Sequence, residues 1–188
     1  MGDPEPAMFA HQALTLKGAI RLCALGPLAI QPLTYRDLAT ALRRFVDRAI
    51  GPAPDTRALS VELMRCEGLV ETIAGEGDHA MLSLTAAGRE LLRALLVAPL
   101  SPINSEVNRF VVALKIRFLH LLERDDQLQQ VDLLIEAAHQ DLARVQALRD
   151  DEVGFPGFSS SWFELEIAVS RSRFTWLVGL RQQIAGNP

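Results

Sequence analysis

The sequence is poor in the residues that mark several classes of protein. It contains only 2 cysteines, and both Cys23 and Cys66 fall in helical patterns beside apolar residues, so we expect buried thiols rather than a disulfide or a metal pair. Aromatic residues make up 6% of the chain while leucine and alanine are abundant, which favours helices over sheet. No apolar run is long enough to span a membrane, and residues 1–6 are acidic and broken by proline, unlike a signal peptide. We therefore expect a cytoplasmic protein without a membrane partner.

An excess of positive charge is also missing. The formal net charge is −4, and residues 1–98 hold 10 basic against 11 acidic side chains, so a basic patch for nucleic acid would have to be local. There is no glycine-rich phosphate loop, no Ser or Cys nucleophile in a recognisable elbow and no spacing that completes a metal site. We therefore predict no catalytic residue, no metal and no cofactor, and a protein that is not an enzyme.

Hydrophobic spacing predicts three helices in the first third of the chain. The first carries an apolar stripe and ends at Gly26-Pro27. The second opens at Thr34, with Asp37 placed for a capping box, and exposes its arginines opposite an apolar face. The third runs from an N-cap at Asp55 to Gly68, and its Val61 and Met64 should point into the core.

A hairpin pattern and a fourth helix follow. Two short apolar runs, residues 69–74 and 79–84, are joined by a turn at Gly75-Glu76-Gly77-Asp78. Thr85 is placed to cap a helix that continues to Pro99. The order helix, helix, helix, strand, strand, helix predicts a winged helix-turn-helix with a two-stranded wing.

From Pro102 onwards the pattern changes to long helices alone, including one at about 126–150 and a last one from Ser159, Ser160 or Ser161 to about 184. Their apolar stripes are too extensive for one small hairpin to bury, which favours self-association. We therefore predict a mostly α chain with a disordered tail at residues 1–10, a winged-helix domain at 11–98 and an all-α dimerisation domain at 99–188.

Several stretches together carry a family resemblance, and they are Leu14–Ile20, Glu67–Glu71, Leu84–Leu92, Phe110–Leu122, Trp162–Ile167 and Arg173–Leu177. In these residues and their order the chain resembles the PadR family of bacterial transcriptional regulators. The resemblance implies a homodimer formed by the C-terminal helices. It also implies that each third helix enters the major groove of double-stranded DNA at one half of an inverted repeat, with half-sites about 10 bp apart. Many such proteins are repressors released by a small aromatic or lipophilic effector.

The third helix and the wing depart from the family pattern. Members usually place a tyrosine near Ala58 and basic residues near Glu62 and Leu63. The wing has acidic residues at 76 and 78 where a DNA reader often has Arg or Lys, and Leu82 replaces the usual tyrosine of the second wing strand. Because contacts from Lys and Arg to phosphates supply most non-specific affinity for DNA, these departures weaken the expected interface.

The candidate DNA-binding residues lie on the second and third helices and in the wing, and they are Arg36, Arg43, Thr56, Arg57, Ser60, Arg65 and His79. Arg57 is the best candidate for reading a base edge, since its fork matches the two acceptors of guanine. The alternative for Arg43, with Arg44 and Arg48, is a solvated face that pairs with Asp47 and its neighbours.

Aromatic residues concentrate in the last quarter of the chain. Trp162, Phe163 and Trp176 are candidates for an effector pocket at the dimer interface. Ordinary core packing is the alternative explanation for the same residues.

Two functions remain open at this point. The first is a dimeric DNA-binding transcriptional regulator of the PadR type, a repressor tuned by a small aromatic ligand. The second is a winged-helix dimer that has lost DNA binding and acts as a protein-interaction module. The acidic wing and the apolar Leu63, with Leu59 four residues before it, favour the second.

Overall fold

The computed structural model describes residues 13–49, 57–100, 106–151 and 157–186. It divides into two compact units, residues 1–122 and 123–188, which are described separately. The predicted tail at residues 1–10 and the predicted cap at Asp55 lie outside the described residues. The described elements are mostly helical and include the helix-turn-helix, the wing hairpin and the long C-terminal helices, so the predicted fold class is confirmed.

Helices and strands of the first unit follow one another in the order of a winged helix. Their bounds are α1 Leu16–Ile30, β1 Leu33–Thr34, α2 Tyr35–Ala49, α3 Arg57–Cys66, β2 Val70–Ala74, β3 Met81–Leu84, α4 Ala86–Val97 and α5 Glu106–Phe118. A 3-10 turn at Gly77–His79 connects the two wing strands, and a second at Leu119–Leu121 follows α5.

The sheet has three antiparallel strands in the order β1-β3-β2, one more than the wing that the sequence predicts. β2 and β3 form the wing hairpin, in which Thr72 lies opposite Leu82. β1 pairs with the other edge of β3 and places Leu33 opposite Leu82, which is fully buried. Two residues are too few to show the alternation that identifies a strand, so β1 could not be predicted.

α1 continues through Gly26-Pro27, where the sequence predicts its end, so that prediction is wrong. Pro27 lies inside the helix, and its carbonyl accepts a hydrogen bond from the Gln31 N–H at 3.2 Å. Gly26 is packed against the Phe118 ring, because a Cβ there would lie 2.5 Å from the ring carbons. The helix survives because burial of Leu25 and Leu28 on either side offsets the hydrogen bond that proline removes.

Thr34 caps α2 as the sequence predicts. Thr34 Oγ1 accepts a hydrogen bond from the Asp37 N–H at 3.1 Å and donates one to the Asp37 carboxylate at 2.8 Å. The Asp37 N–H, which has no partner within the helix, therefore finds one in the Thr34 side chain.

Thr85 caps α4 as predicted and also joins three segments of the chain. Its Oγ1 accepts a hydrogen bond from the Gly88 N–H at 3.0 Å and donates one to the Gly68 carbonyl at 2.6 Å. Its own N–H donates to the Leu69 carbonyl at 3.2 Å. Gly68 ends α3 with a φ of +71°, the left-handed region that glycine adopts without strain. We call these residues the Thr85 junction: they connect the end of α3, both ends of the wing hairpin and the start of α4.

The core of the first unit takes apolar side chains from all of its described helices and from β3. Its largest fully buried members are Leu22, Leu25, Leu38, Leu42, Val61, Met64, Leu82, Leu84, Leu96 and Phe118. Cys23 is buried as predicted, and burial raises the pKa of its thiol to about 12. The prediction for Cys66 is wrong, since this thiol is exposed at the end of α3. Two helical steps turn Cys66 about 200° away from the buried Met64, which places it on the outer face.

A buried lysine lies among these apolar residues. Lys115 of α5 is 2% exposed and donates a hydrogen bond to the Leu96 carbonyl in the last turn of α4. The negative end of the α4 dipole stabilises the ammonium at this position. Burial nevertheless lowers the pKa of Lys115 to about 8.

The second unit is a helical hairpin of α6, Arg124–Asp151, and α7, Ser159–Gly186. The two helices run antiparallel, because Asp132 pairs with Arg181 towards one end and Arg149 with Glu164 towards the other. The buried apolar side chains of this unit are Val131, Leu134, Ala138, Phe163, Ile167 and Leu177. Although both helices have 28 residues, no helix in the described part of the chain is long and apolar enough to cross a membrane.

The predicted boundary between domains at residues 98 and 99 stays a prediction. α5 follows it in the sequence and packs on α1 and α2 within the first unit. The Phe45 and Phe110 rings meet edge to face there, with centroids 5.8 Å apart. The helical hairpin begins at Arg124.

Replacing Gly88 by alanine tests how closely α4 lies against the turn after α3. The added Cβ would lie 2.1 Å from the Leu69 carbonyl oxygen, so the backbone must shift. We expect Gly88→Ala to lower the free energy of unfolding by about 2–4 kcal/mol. The control is Gly179→Ala in α7, whose Cβ has no neighbour within 4 Å and which should be neutral or slightly stabilising. Urea unfolding followed by circular dichroism measures both, and a Gly88→Ala variant as stable as the wild type contradicts the close contact.

Replacing Lys115 by methionine tests the buried ammonium through the pH dependence of stability. The pKa of Lys115 is about 8 in the folded chain against an ordinary value of 10.5, so the unfolded chain holds more protons between these values. Burying the ammonium therefore destabilises the fold in full below about pH 8, and this cost falls as the pH rises from about 8 towards 10.5. We expect the wild type to gain about 2 kcal/mol over Lys115→Met between about pH 7 and 9.5. A difference between the two proteins that stays constant with pH, measured by urea unfolding, contradicts this pKa.

Candidate nucleic-acid interface

α3 is the helix that a winged helix-turn-helix presents to its ligand, and its inner face is fixed by burial. Val61 is 0% exposed and Met64 1%, as the sequence predicts. With these two residues facing the core, the exposed side chains of the described half of α3 are Glu62, Leu63, Arg65 and Cys66. Only one of these four is basic.

An ion pair holds the C-terminal end of α3 against α1. Arg21 of α1 donates from one nitrogen to both carboxylate oxygens of Glu67, at 2.5 and 2.6 Å. The two side chains are partly covered, at 18% and 32% exposure, so the pair is less screened than a fully exposed one. Arg21 therefore positions α3 and is not available as a free cation.

The predicted DNA-binding residue Arg36 is paired with the wing. Its Nη2 lies 3.3 Å from Asp78 Oδ2, which joins the first turn of α2 to the tip of the wing. Both side chains are 62% exposed. The sequence separation is 42 residues, so neither residue type nor spacing could reveal this pair.

The predicted DNA-binding residue Arg65 is also paired. Its Nη1 lies 3.1 and 3.3 Å from the two carboxylate oxygens of Glu62, one helical turn earlier. The side chains of Arg65 and Glu62 are 38% and 50% exposed. Each of these two arginines thus has a carboxylate in the position that a phosphate would take.

The other predicted residues are distributed around the same part of the first unit. Arg43 is exposed on α2, and His79 is exposed in the 3-10 turn of the wing. Arg57 and Ser60 belong to the first turns of α3, but their side chains lie outside the described part of the structure. Thr56 lies outside the described residues altogether.

A polar cleft of about 430 Å³ separates α3 from the wing. In a winged helix this is the space between the helix that enters the major groove and the hairpin beside it. Its lining contains three carboxylates and one guanidinium, and the residues are Tyr35, Glu62, Arg65, Thr72, Gly75, Glu76, Gly77, Asp78 and Ala80. The cleft is therefore acidic, as the sequence of the wing predicts.

An apolar groove of about 290 Å³ lies on the opposite side of α3, against α1. Leu16, Ile20 and Leu63 line it, and Leu63 is 47% exposed. The exposed Lys17 borders the groove and is a cation near α3 that the sequence reasoning missed. The sequence indicates this position of Lys17 only through its spacing from Ile20, because residues three apart lie on the same face of a helix.

A family comparison matches almost the whole chain. The family described as "Putative AphA-like transcriptional regulator" matches residues 9–181. The chain belongs to this family. The prediction of a PadR-like transcriptional regulator is thereby confirmed at the level of the family. No curated protein sequence matches the chain.

Solved structures similar to this AphA-like regulator include PadR proteins. Bacillus subtilis PadR in complex with p-coumaric acid is 15% identical over 89% of this chain and 99% of its own, with a TM-score of 0.39. The same protein in complex with operator DNA is 19% identical over 90% and 98%, with a TM-score of 0.35. A PadR-like regulator from Bacillus cereus is 15% identical over 88% and 98%, with a TM-score of 0.37.

The predicted effector residues of this AphA-like regulator all lie on α7. Phe163 is buried at 6% exposure, and its ring centroid lies 5.0 Å from that of Trp162, which is 55% exposed. Trp176 is 53% exposed and lies 14 residues further along, about 21 Å by helical rise. The second unit thus brings Trp162 and Phe163 together and keeps Trp176 apart from them.

Proposed function

We propose that this AphA-like regulator binds double-stranded DNA as a homodimer and represses transcription, with α3 of each copy in the major groove at one half of an inverted repeat. The family supports a role in regulating transcription, because it is a family of transcriptional regulators. The observation that carries the proposal is the arrangement of α2, α3 and the wing, with Arg36, Arg43 and Arg65 exposed along it. This activity needs no catalytic group and no cofactor, and it places the protein in the cytoplasm with the chromosome.

The paired arginines are compatible with DNA binding. An ion pair between largely exposed side chains is weak, since its Coulomb energy is screened and ordering the side chains costs entropy. The Arg36–Asp78 pair is of this kind, with both side chains 62% exposed. A phosphate can therefore replace Asp78 on Arg36, and Asp78 then lowers the affinity without abolishing it.

An exposed apolar stripe on α7 and on the residue before it, which we call the outer seam, supports the homodimer. It consists of Phe158, Trp162, Leu165, Val169 and Trp176, which are 45% to 91% exposed. Their spacings of four, three, four and seven residues match the seam of a coiled coil. The buried Phe163, Ile167 and Leu177 form a separate face on the same helix, so the outer seam is free to meet a second copy.

The outer seam also supports an effector site made by two copies. In an antiparallel pairing of two α7 helices centred near Ile167, Phe158 of one copy comes opposite Trp176 of the other. Trp162 belongs to this seam, and the buried Phe163 ring packs against it. We propose that a small aromatic ligand binds among these rings, where stacking favours flat molecules.

A second function, a protein-interaction module, is favoured by one observation. The apolar groove between α1 and α3 leaves Leu16 and Leu63 exposed at 36% and 47%, which a protein partner would cover. A protein-interaction module would give no role to the exposed Arg36, Arg43 and Arg65. A regulator that also contacts a protein through the groove would retain DNA binding, so the DNA test decides between the two.

DNA binding is tested by gel shift with duplexes from the protein's own promoter region at about 50 mM salt. We expect retardation at micromolar protein or below, with an affinity that falls as salt rises. Arg36→Ala should weaken binding and reduce the salt slope by about one for each phosphate that the variant no longer neutralises. Asp78→Asn should tighten binding by about threefold to fivefold, because it removes a repelling charge and frees Arg36.

The control for this experiment is Asp141→Asn, which removes the same charge from an ion pair with Arg144 on α6. It should leave the affinity unchanged. Absence of any retardation of the wild type at micromolar protein contradicts DNA binding. An Asp78→Asn variant that behaves like Asp141→Asn contradicts the role given to the wing carboxylate.

Dimerisation is tested by light scattering on the purified chain. We expect a mass twice that of the 20.7 kDa chain at micromolar concentration, and a single-chain mass for Leu165→Asp. The substitution buries a carboxylate in the proposed seam without touching the hairpin core, since Leu165 is 59% exposed. Thr175→Asp introduces the same charge at an exposed position outside the seam and should remain dimeric. A wild type that is a single chain at all working concentrations rules out the dimer.

A further inference from the structure

The exposed face of α3 points to the bases that this regulator reads. We infer that Glu62 and Leu63 are specificity-determining residues, Glu62 for the amino group of a cytosine and Leu63 for the methyl group of a thymine. The inference rests on the proposed function, in which α3 enters the major groove.

Helical geometry places these two side chains at the front of α3. Val61 and Met64 are buried, so the positions between them turn outward. Glu62 borders the polar cleft beside the wing, and Leu63 borders the groove beside α1. Glu62 and Leu63 therefore cover both sides of the exposed face of α3.

The chemistry of Glu62 and Leu63 excludes the commonest base contact for these two residues. Guanine offers two acceptors in the major groove and needs a forked donor, whereas Glu62 accepts only and Leu63 neither donates nor accepts. The groups in the major groove that match them are an amino group and a methyl group. A glutamate accepts from the cytosine amino group, and an apolar side chain contacts the thymine methyl.

Arg65 makes a carboxylate tolerable in this position. An unpaired glutamate facing DNA is repelled by the phosphates, but Arg65 lies 3.1 Å from Glu62 and offsets its charge. The pair also fixes the direction of the Glu62 side chain. Arg65 is therefore a positioning residue for Glu62, in place of the direct DNA contact that the sequence predicts.

The test starts with selection of binding sites from a duplex library with a random region. We expect the wild type to select a cytosine and a nearby thymine in each half-site. Replacing that thymine by uracil removes only the methyl group and should weaken wild-type binding about fourfold, the equivalent of one buried methyl group. Replacing the cytosine by 2-pyrimidinone removes only the amino group and should weaken binding about tenfold.

The variants assign each effect to its residue. Leu63→Ala should bind the thymine and uracil duplexes equally, while Leu133→Ala, an equally exposed leucine of α6, should keep the wild-type preference. Glu62→Gln should select adenine in place of cytosine, since glutamine pairs with adenine through two hydrogen bonds. Arg65→Ala should lose the cytosine preference and keep the thymine preference.

The outcomes separate this inference from the proposed function. If the wild type selects no sequence from the library and binds no duplex, DNA binding itself is overturned. If it selects a site but tolerates both base analogues, or if Glu62→Gln and Leu63→Ala select the same site as the wild type, the assignment of these two residues is overturned while DNA binding stands.

Discussion

The winged helix of this protein depends on the Thr85 junction. One hydroxyl accepts from the Gly88 N–H and donates to the Gly68 carbonyl, and the Thr85 N–H donates to the Leu69 carbonyl. Both strands of the wing start or end there, so the junction fixes the wing relative to α3. Gly88 has no room for a side chain at this point, which makes the contact between α4 and the turn after α3 a matter of backbone alone. These contacts also fix the shape of the cleft between α3 and the wing.

The charges around that cleft determine how the interface can bind DNA. Asp78 and Glu62 each hold an arginine that would otherwise meet DNA directly. Arg36 can contact DNA only by exchanging Asp78 for a phosphate, so affinity is lowered and the remaining contacts carry more of the selectivity. The apolar and acidic front of α3 fits such a division of roles. Arginines at the sides contact the DNA backbone, and the front of the helix reads the bases.

Several elements follow from short-range patterns in the sequence and several do not. The caps at Thr34 and Thr85 were predictable because donor and acceptor lie within one helical turn of each other. The end of α1 at Gly26-Pro27 was not, because the Phe118 ring that packs on Gly26 comes from a helix about ninety residues later. For the candidate site, the exposed arginines and the acidic wing were predictable as residue types. Their pairing was not, because Arg36 and Asp78 meet only through the fold.

The sequence by itself determined the order of the helices and of the two wing strands, the inward residues of α3 and the acidity of the wing, since periodicity, capping and charge are local properties. The tertiary structure decided which charges are neutralised, that Cys66 is exposed, and that Lys115 is held in the core beside the end of α4. These depend on distances between groups far apart in the chain, and Coulomb and desolvation energies respond to those distances and to burial rather than to residue type.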